Sequence, residues 1–150
     1  MNGIGTQIKE RIKNRYLRTL LSFTLHFLLP LFLFSGVYFL FYGMFLIGIP
    51  HAENVEQVII THSEIPEKQA EIMEPEDIEL SVKLTRFLNY SLFQRAPQEE
   101  PVITITFCLA DGSTAVVSAG RRTVWWKGNA HALKEEELFV NLTENFFFSE

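Results

Sequence analysis

From Thr19 to Ile49 the chain carries no Asp, Glu, Lys or Arg, a run of 31 residues interrupted only by Pro30. A core helix of a small soluble protein is rarely apolar on every side for this length, because its outer face must meet water. The run therefore predicts a membrane span. It is longer than one bilayer needs and too short for two. After Pro30, Leu31 to Ile49 makes about 28 Å of helix, close to the hydrocarbon thickness. Before it, Thr19 to Leu29 mixes Ser22, Thr24 and His26 with apolar residues and reads as an interfacial or tilted lead-in. The expected division is a basic tail at 1–18, a transmembrane helix at 19–49 (core 31–49, kinked at Pro30), a short linker at 50–54 and a domain at 55–150.

Charge gives the span a direction. Residues 1–50 hold five Lys/Arg against Glu10, a balance of +4, whereas residues 51–150 hold eight against 17 Asp/Glu, a balance of −9; together these give the net −5. Basic residues beside a span stay in the cytoplasm, so the expectation is a single-pass cell-membrane protein with a cytoplasmic N-terminus and an outer C-terminal domain. A cleaved signal peptide is the competing reading. Its apolar region is normally about 7–15 residues, shorter than this run, and Pro50-His51-Ala52 is a poor cleavage site. Within the span, His26 near the cytoplasmic end reads as a neutral interfacial side chain. Gly36, Gly43 and Gly48 lack the spacing of a GxxxG helix pair.

The remaining hundred residues suffice for one small domain. Val55–Thr61 reads as a strand, Ser63–Glu74 as an acidic surface loop, and Pro75-Glu76-Asp77 as a helix start. Ile78, Val82, Thr85, Leu88 and Leu92 would line that helix, although Ile78, Leu80, Val82 and Leu84 also alternate as in a strand. Val102–Ala110 is the clearest strand. Asp111-Gly112 suggests a type I′ hairpin to Ser113–Ala119, in a register opposing Phe107 to Val116 and Ile105 to Ser118. Cys108 would then face away from the core side as a small buried hydrophobe. Thr123–Lys127 and Ala130–Leu133 follow as strands about a Gly128-Asn129 turn. A second helix is expected over Lys134–Phe147 with Leu138, Leu142 and Phe146 inward. The expected fold is a membrane anchor plus a small α+β domain, an antiparallel sheet of four to five strands with two helices on one face.

The chemistry on offer is sparse. One Cys permits neither an internal disulfide nor a thiolate metal centre, and no phosphate loop, HExxH or GxSxG motif is present. His51, His62 and His131 fall in separate elements without ligand spacing. An acidic domain disfavours nucleic acid. Two glycosylation-type triplets, at Asn89 and Asn141, are of a kind common by chance. The distinctive cluster is Arg121, Arg122, Trp125, Trp126 and Lys127, basic and aromatic in an acidic domain. Adjacent strand residues face opposite sides, so one Trp can be core while the other is presented to a protein partner, an anionic ligand or the lipid interface. The blander alternative packs both rings and pairs the Arg with the many Glu. The expectation is a non-enzymatic binding, sensing or accessory module at the lipid bilayer, without cofactor, metal or nucleic-acid partner. An envelope-acting, hydrolase-like enzyme and a cleaved secreted domain are the alternatives.

Overall fold

The computed structural model describes Lys13, residues 15–65 and residues 69–149. Most of the expected basic tail and the Pro66 part of the acidic loop lie outside the described residues. The chain divides into two compact units, Met1–Tyr38 and Phe39–Glu150.

From Arg15 the described residues of the first unit form a helix, α1, Arg15–Tyr42, whose last four residues belong to the second unit; the 28-residue stretch is long and apolar enough to cross a membrane and is unburied. A proline ring clashes with the carbonyl four residues back, here that of His26. A five-residue π turn, Thr24–Leu28, lies directly before Pro30, with the Leu29 N–H donating to Thr24 O. The polar side chains here turn back onto the helix. The Thr24 hydroxyl donates to Leu20 O at 2.9 Å and His26 Nδ1–H to Ser22 O at 2.8 Å. Such bonds satisfy the polar side chains within the helix itself.

The helix ends at Tyr42 rather than at the expected Ile49. Gly43, at φ +76°, stops it, and its N–H bonds to Phe39 O at 3.0 Å. An alanine Cβ at Gly43 would stand 2.7 Å from Tyr90 O, so the position requires glycine. The Lys134 ammonium donates to Leu40 O at 2.7 Å, a cation on carbonyls at a helix C-terminus. Residues 43–50 then belong to the second unit. Met44–Phe45 (β1) pairs with Asn89–Tyr90 (β4), and Leu46 and Ile49 are buried in the hydrophobic core. An apolar segment is as soluble in a protein core as in lipid, so composition alone could not assign it.

Val55–His62 (β2), Gln69–Ile72 (β3), Ile103–Leu109 (β5), Thr114–Ala119 (β6), Thr123–Trp126 (β7) and Asn129–Ala132 (β8) form one antiparallel sheet in the order β3-β2-β5-β6-β7-β8. Six strands replace the expected four or five. The addition is β3, inside the stretch read as a loop: a polar edge strand that pairs Ile72 with Val58 and Ala70 with Ile60.

The β5–β6 register also differs from expectation by one residue. Phe107 opposes Ala115 and Ile105 opposes Val117. The loop is Ala110-Asp111-Gly112, with only Gly112 at positive φ, closed by Gly112 N–H to Leu109 O and Leu109 N–H to Ser113 O. This is a three-residue hairpin, and the extra residue turns β6 over so that Val117 and Ala119 face the core and Val116 faces out. Cys108 is half-buried on the outward face, between Gln57 and Thr114, rather than fully buried.

Pro75–Arg86 (α2) resolves the ambiguity at 78–84 as helix, with Ile78, Ser81, Val82, Leu84 and Thr85 buried. Proline opens the first turn with Glu76 and Asp77, and Lys83 and Arg86 close the last, both favourable to the helix dipole. Leu92 lies beyond the helix and is exposed. The last helix, α3, covers Leu138–Phe147 and starts four residues later than expected. It buries Phe139, Val140 and Thr143, leaving Leu138 and Phe146 exposed and Leu142 half-buried. Two overlapping apolar series run along this helix, and the one-residue rotation selects the second. Both helices join the inward sheet residues Val58, Ile60, Ile103, Ile105 and Phe107 in a single core.

Candidate functional site

Strand β7 places the two tryptophans on opposite faces, as period-two geometry requires. Trp126 opposes Val117 and is buried on the core side; its indole N–H donates to Ile47 O at 3.0 Å. Lys127 and Gly128, both at positive φ, make the two-residue turn to β8, one position earlier than the expected Gly128-Asn129. The exposed Lys127 ammonium lies 5.2 Å from the centroid of the Trp126 ring. A Cβ at Gly48 would meet that Nζ at 2.7 Å, so the lysine also lies over the Ile47-Gly48 backbone. Trp126 and Lys127 thus hold the segment that follows α1.

The arginines are engaged elsewhere. Arg121 Nη2 contacts Glu64 Oε2 at 3.3 Å, and Arg122 Nε lies 3.8 Å from Glu99 Oε2. Glu99 Oε1 also accepts the Arg122 backbone N–H at 2.7 Å. Exposed pairs of this kind are worth about 0–1 kcal/mol each, and they orient the arginines more than they stabilise the fold. The five residues therefore do not converge on one surface.

Trp125 is the member left on the outward face. It is half-buried and lines a shallow cleft of about 480 Å³ with Gln94–Glu99 and Ala130. The Thr123 hydroxyl donates to Pro97 O at 2.9 Å, fixing that loop beside β7. Arg95, Pro97 and Glu99 are thus parts of the site that sequence reasoning missed. Their only signal was a proline-bounded loop, and no spacing ties residues 94–99 to residues 122–125.

A larger cleft, about 650 Å³, lies between α2 and the turn at Ala52–Asn54, with His51, Glu53, Glu56, Glu79, Lys83 and Arg86 among its walls. Arg86 Nη2 donates to Pro50 O at 3.2 Å and to His51 Nδ1 at 3.3 Å, which leaves the ring proton on Nε2. Lys83 pairs with Glu79 at 2.7 Å. Among the described residues, no Ser, Thr or Cys lines this cleft.

His62 lies elsewhere, on the core side at the end of β2. Its Nε2 is 2.9 Å from Glu144 Oε1 on α3, its ring meets Phe148 edge-on, and its Nδ1 has no hydrogen-bond partner among the described residues. His131 lies against Tyr90 with ring centroids 4.3 Å apart and planes tilted by 37°. Among the described residues, no three His, Cys, Asp or Glu side chains are grouped to hold a metal ion. No family model, curated protein or solved structure matches the chain.

Proposed function

We propose that the chain is a single-pass membrane protein with a cytoplasmic N-terminus, and that its outer α+β domain is a non-enzymatic module binding a partner at the membrane surface. One observation carries the reading: the unburied apolar helix ends at Tyr42, and the residues directly after it, Leu46 and Ile49, are buried in the core of the second unit. That continuity favours an uncleaved anchor over a removable signal, because cleavage near Pro50 would take core residues away. The contact surface is the outward face of β7, where Trp125 meets the Gln94–Glu99 loop beside Arg122. A large, stiff aromatic next to cations suits a protein surface with exposed carboxylates.

The test has two arms. Protease added outside intact cells should digest the acidic domain and spare the basic tail; the reverse pattern sinks the orientation. Trp125→Ala and Arg122→Ala should leave the unfolding transition in place while lowering partner recovery after crosslinking in membranes. If both variants unfold the domain, the residues are structural and the surface is withdrawn.

A further inference from the structure

We infer that the second unit is seated in the lipid interface by an apolar collar, Phe45, Phe87, Leu92, Phe93 and Leu138, around the point where α1 ends. The inference rests on the anchor reading above and names the surface that meets the bilayer. All five side chains are exposed, Phe87 and Phe93 by 74% and 76%. Their placement converges on one bridge. Phe45 opposes Asn89 and Met44 opposes Tyr90. Phe87 and Leu138 line one small cavity with Asn89, and Leu92 and Phe93 follow Tyr90 by two and three residues. Lys134 joins the same place, its N–H on Asn89 O at 2.9 Å and its ammonium on Leu40 O in the last turn of α1.

Contiguous exposed apolar surface on a small domain marks an interaction site. The occupant here is lipid because the collar residues cluster near the last turn of the apolar α1, within the same unit, where Phe45 follows Tyr42 by three residues and Lys134 bonds Leu40 O. The turn Phe39–Tyr42 belongs to the second unit, and Gly43, Lys134 and the buried Leu46 hold it there. If α1 spans the bilayer, residues around its end lie at headgroup depth, where Phe and Leu insert readily and Lys reaches for phosphate.

The test uses the full chain in phosphatidylcholine–phosphatidylglycerol vesicles with Cys108→Ser as background. An environment-sensitive fluorophore is attached through Phe45→Cys, Phe87→Cys or Phe93→Cys, and through Val116→Cys as an exposed apolar control on the outward sheet face. Supporting outcomes are blue-shifted emission at the three collar positions and quenching by lipids brominated near the headgroup end of their chains, with Val116→Cys unquenched. If the chain floats with vesicles but the collar labels remain in water, the collar inference fails and the anchor stands. A blue shift without bromine quenching puts a second copy over the collar and also overturns it. A chain that does not float with vesicles removes the anchor reading, and the inference with it.

Discussion

At the residue scale, the two adjacent tryptophans do different work. Trp126 closes the segment after α1 onto the sheet through one hydrogen bond to Ile47 O, whereas Trp125 stands on the outward face. Trp126→Phe keeps an aromatic ring but strands a carbonyl, at about 1–3 kcal/mol. Trp125→Phe should cost under about 0.5 kcal/mol. Urea unfolding of both variants in detergent checks the difference, and equal losses would contradict it. Asp111 makes a second residue-scale case. The Ser113 hydroxyl, and then the Ser113 amide, donate to its carboxylate at 2.6 and 2.9 Å and hold its pKa below the ordinary 3.8. A lowered folded-state pKa stabilises the hairpin above the unfolded value and loses that contribution as pH falls through the folded one. Carboxyl chemical shifts followed against pH should give a midpoint below 3.8, and Ser113→Ala should move it back up.

At the element scale, what was legible follows from how local each signal is. The apolar run announced α1, Pro75-Glu76-Asp77 announced α2, and the β-branched stretch at 102–110 announced β5, because each is stated within one element. The polar edge strand β3 was illegible: Gln69 and Glu71 are exposed, Ile72 alone is fully buried, and pairing with β2 is what makes the four residues a strand. The register of β6 hinged on whether Ala110 joined the turn, and the rotation of α3 on which of two apolar series met the sheet. Contacts of the candidate site were further out of reach. Arg122 with Glu99, and Arg121 with Glu64, join residues 23 and 57 positions apart. The link from β2 to α3 is similar. His62 is 3% exposed and spans to Glu144, whose side chain keeps 36% exposure. Removing the acid alone strands a buried imidazole N–H, so Glu144→Leu should destabilise by about 1–3 kcal/mol. His62→Leu in the same chain should recover most of that loss, since an apolar pair leaves no buried donor. A double-mutant cycle measures this, and additive losses would show that the two residues act independently.

At the scale of the whole molecule, the decisive fact is that the apolar run has two parts. Its first part, to Tyr42, is uncovered helix; residues 43–50 supply a strand, two core side chains and the acceptor for Trp126. Burial of Leu46 and Ile49 contributes about 3–6 kcal/mol on transfer grounds, and the Trp126 bond about 1 kcal/mol more. A small domain has only about 5–15 kcal/mol of net stability. A chain beginning at His51 should therefore lose cooperative unfolding, whereas one beginning at Gly43 should keep it. Thermal unfolding by near-ultraviolet circular dichroism distinguishes the two. The same arithmetic constrains maturation: a processed form starting at residue 51 or 52 would be a poorly folded domain, so the intact mass of the mature protein should include residues 43–50. A mature mass starting at His51, combined with a sharp unfolding transition, would show that the 43–50 segment is dispensable and that the anchor reading has lost its support.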